Sequence, residues 1–117
     1  MSHWTHITAC LSVDTFKENR KTIKKSIVNY INEAPKITGS EADAEIYLNL
    51  QRGYNISSWK QNKYNDFMKY QSCIVISVQG DLRDRTKEQT EKEFKEFLAF
   101  IAKEYEIRDY SFNIESE

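Results

Sequence analysis

The sequence predicts an α+β fold: a ferredoxin-like βαββαβ sandwich, with a four-stranded antiparallel sheet, two helices on one face and a long connection between the second and third strands. Three observations predict it. Apolar residues alternate at period two in four separate stretches. They recur at three- and four-residue steps in two others. Along the chain these stretches run strand, helix, strand, strand, helix, strand. At 117 residues the chain is a single domain, 1–117, long enough to bury a core without covalent staples.

The first strand is Trp4–Val13, where Ile7, Ala9, Leu11 and Val13 fall on one side and Trp4, His6, Thr8, Cys10 and Ser12 on the other. Thr15-Phe-Lys-Glu18 has the form of a capping box, with Asp14 as a competing cap, and opens a helix. Its core stripe is Phe16, Ile23, Ile27, Tyr30, Ile31 and Ala34, and Pro35 ends it because the residue before proline avoids the α region. Gly39-Ser40 marks a turn, and Ala44–Gln51 alternates again as the second strand.

Residues 52–70 are rich in aromatic and basic side chains, and the sequence leaves two forms open: an extended hairpin, or a short helix near Lys60–Lys69. Gln71–Gln79 is the third strand, with Ile74, Ile76 and Val78 inward. Gly80-Asp-Leu-Arg-Asp84 reads as a turn, in which Gly80 supplies a positive φ and the two aspartates approach a helix N-terminus. Thr86-Lys-Glu-Gln89 is a second capping box. Thr90, Phe94, Phe97, Leu98, Ile101 and Tyr105 form the stripe of the second helix, and Arg108–Ile114 is the last strand, with Tyr110, Phe112 and Ile114 inward.

Composition narrows the function. The formal charge of −1 gives no global attraction to nucleic acid. Charge is nevertheless segregated, with five basic residues against one acidic in 17–25, and seven basic against eleven acidic in 81–117. No apolar run approaches the ~18 residues of a membrane span. Two cysteines, no CxxC and no signal-peptide pattern predict a reducing cytoplasm.

The sheet face turned away from the helices is the candidate binding surface. It carries Trp4, His6, Thr8, Tyr47, Asn49, Cys73 and Ser77, with the first and third strands central. RNA-binding sheets of this order stack bases on central-strand aromatics, and the third strand supplies none. His6 and Cys10 lie about 13 Å apart along their strand, too far for an ion pair, so the cysteines read as buried and structural. His3 and His6 fall on opposite strand faces, and no metal or phosphate-loop motif is present. No catalytic residue, metal or cofactor is predicted. Arg83 and Arg85 gain nothing from the helix dipole, so they either pair with Asp81 and Asp84 or reach an anionic partner. Tyr54, Trp59 and Tyr64 belong to the second candidate surface, since large aromatics dominate interface hot spots.

Trp4-Thr-His-Ile7 with Val13-Asp14, Gly39-Ser-Glu41, Gly80-Asp-Leu-Arg-Asp84, and Ile107-Arg108 leading to Ile114 occur in this order along nearly the whole chain. In this the sequence resembles a family of small bacteriophage-encoded proteins that carry GSE(G) and GDLRD motifs. It departs from the pattern at Ala42, where a second glycine is expected. The resemblance implies a phage gene acting in the cytoplasm of an infected bacterium, and it carries over no catalytic residue. By analogy with small phage proteins, it implies a non-enzymatic protein that inhibits or sequesters a host factor, including a component of anti-phage defence. The expected binding residues are Trp4, His6, Tyr47, Tyr54, Trp59, Tyr64, Asp81, Arg83, Asp84 and Arg85. The alternative partner is a small nucleotide-like ligand, with Tyr47 stacking and Arg83 and Arg85 supplying charge. Self-association through the open face or an edge strand is a further expectation.

Overall fold

The computed structural model describes residues 3–14, 20–49 and 73–117. Six elements follow in the expected order: β1 (Trp4–Asp14), α1 (Arg20–Asn32), β2 (Glu45–Asn49), β3 (Cys73–Arg83), α2 (Lys87–Glu104) and β4 (Ile107–Ser116). The strands form one antiparallel sheet in the order β2-β3-β1-β4, so β1 and β3 are central. The first capping box and residues 50–72, with the aromatic segment between β2 and β3, lie outside the described residues.

Strand alternation becomes burial directly. Ile7, Leu11 and Val13 of β1 and Ile76 and Val78 of β3 are all but inaccessible to water. They meet Ile27 and Ile31 of α1 and Phe94, Phe97 and Ile101 of α2 in one core, so both helices serve the same side of the sheet. Every residue of the second helix's expected stripe is buried. Between the helices Tyr30 stacks on Phe100, with ring centroids 4.4 Å apart, and packs edge-on to Tyr105. Burial first, then Glu104 and Glu33, raises the Tyr30 phenol above its ordinary pKa, and the hydroxyl donates to the Phe100 carbonyl.

Capping chemistry fixes the helix ends. Thr86 Oγ accepts from Gln89 N–H at 3.1 Å while Gln89 returns its side-chain oxygen to Thr86 N–H at 2.9 Å, completing the second box. Helix α1 tightens at its end, Ala34 N–H reaching the Ile31 carbonyl at 2.9 Å, and stops before Pro35.

Four expectations need correction. The third strand runs to Arg83 rather than ending at Gln79, because β1 is eleven residues long and β3 pairs along all of it, Trp4 opposite Arg83 and Asp14 opposite Cys73. Gly80-Asp-Leu-Arg83 is therefore strand and not turn, with Leu82 fully buried. The left-handed backbone falls on Asp84, φ 60°, a conformation that aspartate tolerates, and not on Gly80. Cys10 is exposed rather than buried, since both helices pack on the other side of the sheet and no described segment covers its own. Tyr110 stays on the helix side but is 48% exposed, because β4 is an edge strand that α2 covers only in part.

Candidate binding surface

The two short motifs, some forty residues apart in sequence, meet at one end of the sheet. Ser40 N–H donates to the Arg83 carbonyl at 3.0 Å, Ser40 Oγ to Asp84 Oδ2 at 3.1 Å, and the Arg83 guanidinium pairs with Glu41. Both glycines are demanded by close approach rather than by φ. A Cβ on Gly39 would lie 2.6 Å from the Ala42 carbonyl oxygen and 3.1 Å from Leu82 Cα. On Gly80 it would lie 2.9 Å from Ala44 Cα. Ala42 itself is exposed and its φ is not positive, so alanine stands there without strain.

On the open face of this junction, strand register sets the neighbours. Trp4 is opposite Arg83, whose guanidinium carbon sits 6.0 Å from the indole centroid, a cation–π arrangement. His6 is opposite Asp81 on one side and Glu115 on the other. Its Nδ1 is 2.6 Å from Asp81 Oδ1 and its Nε2 2.8 Å from Glu117 Oε1. A carboxylate on each ring nitrogen favours the doubly protonated imidazolium, which donates to both. The His6 pKa is accordingly raised, by the hydrogen bond to Asp81 first and that to Glu117 second. Asp81 thus serves His6 and not the N-terminus of α2, as the sequence reading had it. Asp84 lies in the turn, its N–H donating to the His3 carbonyl at 2.6 Å.

The two arginines part company because β3 ends at Arg83 and the left-handed turn at Asp84 breaks the alternation that would have put both on one side. Arg83 lies over the open face, whereas Arg85 turns toward the helices. There its Nε donates to Thr38 Oγ at 3.2 Å, and Thr38 in turn donates from Oγ and N–H to Glu93 at 2.7 and 2.8 Å. The Arg85 carbonyl accepts from the buried Thr5 hydroxyl at 2.6 Å. The expected pairing of both arginines with Asp81 and Asp84 is replaced by Glu41 and Thr38; Asp84 contributes only its carbonyl to Arg85.

The structure therefore gathers Trp4, His6, Asp81, Arg83 and Asp84 at one end of the sheet, with Arg85 just behind them. Tyr47 stands apart. It is opposite Ser77, six residues from Arg83 along β3, which at ~3.3 Å per residue is about 20 Å away. It is half exposed, its hydroxyl on Glu45. A single nucleotide stacked on Tyr47 would not reach Arg83. Tyr54, Trp59 and Tyr64 lie outside the described residues. Among the described residues no group of His, Cys, Asp or Glu is arranged to hold a metal ion.

Sequence reasoning missed Glu41, Ser40, Thr38, Glu93 and Glu117 as partners. Glu41 and Ser40 were visible within the GSE motif, but nothing local ties them to an arginine more than forty residues away. Compared with known families and with curated proteins, the chain matches no family model and no individual sequence. Chemically, this end of the sheet offers an aromatic surface, an arginine and a histidine each held by carboxylates, and a rim of further acids. That combination suits recognition of a polar protein surface.

Proposed function

We propose that this chain is a phage-encoded, non-enzymatic binding protein that acts in the bacterial cytoplasm by occupying, and so inhibiting or sequestering, a host protein. A component of anti-phage defence is the target class in keeping with its family resemblance. The observation that carries the reading is the sheet face that no described segment covers, with Trp4, His6 and Arg83 at one end and Tyr47 farther along, on a base made rigid by a fully paired β1. Interfaces favour such anchors, because Trp, Tyr and Arg bury much area and keep a polar handle. Among the described residues no helix is long and apolar enough to cross a membrane. The same proposal takes the fold to be the ferredoxin-like sandwich. Its support is the central position of β1 and β3 and the single core shared by both helices.

The test is capture from lysate of a susceptible bacterium, using the tagged chain, a Trp4→Ala/Arg83→Ala variant and a Tyr47→Ala variant. One host protein, retained near equal stoichiometry by the parent and lost with the double variant, is the expected result. Equal retention by all three chains would remove the sheet face from the mechanism. Capture of nothing but a small molecule, released on denaturation, would replace a protein target with a ligand.

A further inference from the structure

We infer that the free edge of β4 is a self-association site, at which a second copy of this chain adds its own β4 antiparallel about a two-fold axis through Ser111. This needs no host factor and stands apart from the proposal above. Among the described residues the sheet ends at β2 on one side and β4 on the other. At the β2 edge the strand is described over Glu45–Asn49. β4 has ten residues, no proline and no lysine, and its one cation, Arg108, is drawn to Asp14 at 3.4 Å.

Which backbone groups face outward follows from the ladder. Glu117 N–H donates to the Trp4 carbonyl at 2.9 Å, and hydrogen-bonded pairs alternate along an antiparallel ladder. Odd-numbered residues 109–117 thus spend their backbone groups on β1. Tyr110, Phe112 and Ile114 aim theirs away from the sheet. The Tyr110 N–H is held at 2.8 Å by its own neighbour, the Asp109 carboxylate, which must let go when a strand docks.

Side chains select the register. A two-fold normal to the sheet keeps both open faces on the same side, so the helix-side and open-side residues of the two copies align. Centred on Ser111, it sets Tyr110 against the partner's Phe112 and Asp109 against the partner's Asn113. Centred on Phe112, it would set Asp109 against the partner's Glu115, a like-charge pair made twice. The Ser111 register also covers what the lone chain leaves bare. Tyr110 is one of two large hydrophobics exposed among the described residues, and it already stacks on its own Phe112 with centroids 6.4 Å apart. Pairing would extend these rings into a four-ring row on the helix side. Beside that row α2 presents Lys95, Leu98, Ala99 and Ala102, one helical stripe flanking a shallow, mainly apolar groove against Ile107–Tyr110. Two alanines in that stripe let the partner's α2 approach closely.

Sedimentation velocity and amide exchange of the intact chain over a wide concentration range test the inference without a substitution. The expected result is a dimer in which the Tyr110, Phe112 and Ile114 amides slow with concentration, while those of Ser111 and Asn113 do not change. In a Cys10→Ser/Cys73→Ser background, Ser111→Cys should give a disulfide dimer under mild oxidation and Asn113→Cys should not. Tyr110→Lys, at a half-exposed position, should keep the monomer's circular dichroism and weaken dimerisation about tenfold or more. A chain that stays monomeric at its highest concentration overturns the proposal. So does a dimer whose outward β4 amides exchange at the monomer rate, or one that cross-links equally through position 113.

Discussion

Gly80→Ala tests the junction that aims the open-face residues. The new Cβ would sit 2.9 Å from Ala44 Cα, 3.0 Å from Ala44 Cβ and 3.3 Å from Leu82 Cδ2. Backbone and a rigid methyl cannot rotate away, and Leu82 is fully buried, so β2 has to shift off β3. Overpacking of this kind costs about 1–3 kcal/mol, and the near-contact with a Cα favours the upper half of that range. Replacing glycine also narrows the unfolded ensemble, which returns about 0.4–1 kcal/mol. The net expectation is a loss of about 2 kcal/mol. In a domain of this size that lowers Tm by roughly 8 °C. Urea and thermal unfolding followed by far-UV circular dichroism read it directly. Adding Ala44→Gly removes the methyl at 3.0 Å but leaves the Cα at 2.9 Å, so the double variant should recover only part of the loss, a coupling of about 0.5–1 kcal/mol. Were Gly80→Ala neutral or stabilising, β2 would not be seated against β3 as described, and the placement of Tyr47 would fall with it.

Two other outcomes follow from single groups. His6 has a folded-state pKa above its ordinary 6.5, so its contribution to stability is fully present below pH 6.5 and is lost as pH rises through the raised value. An NMR titration of His6 should give a midpoint above 6.5, and Asp81→Asn should lower it more than Glu117→Gln does; a midpoint at or below 6.5 in the parent chain would contradict the paired geometry. Thr90 is buried in α2 with its hydroxyl unpartnered, so Thr90→Val, nearly the same in shape, should raise stability by about 1 kcal/mol in urea unfolding; a destabilised variant would mean that the hydroxyl has a partner after all.

Much of this architecture was legible because burial writes itself into sequence at the period of each element. Ile7 to Val13 and Ile74 to Val78 alternate because one side of a central strand meets the helices, and Phe94, Phe97 and Ile101 recur because one stripe of α2 meets the sheet. The open-face positions of Trp4, His6 and Tyr47 came from the same parity. What local chemistry misjudged was the end of β3. Gly80, Asp81 and Asp84 look like a turn, yet β1 alternates back to Trp4, and an antiparallel partner of equal length carries β3 on to Arg83. Reading the two strands as a pair, with Leu82 continuing the parity of Ile74, Ile76 and Val78, would have found this. The partners Glu41 and Glu117 were beyond such reading, since only the folded chain brings them to Arg83 and His6.

Register explains why this end of the sheet is a surface at all. A slip of β3 by one residue would turn Leu82 to water and bring Asp81 and Arg83 into the core. The cost of exposing a fully buried leucine while burying two charged groups far exceeds the ~0.2–1 kcal/mol that an exposed ion pair such as Arg83–Glu41 supplies. The ion pairs therefore do not hold the strand in place. Leu82 does, together with Ile74, Ile76 and Val78, and this register points Asp81 at His6 and Arg83 at Trp4. Leu82→Ala should accordingly disturb the open face, whereas Glu41→Ala should leave β3 where it is and remove only the Arg83–Glu41 ion pair.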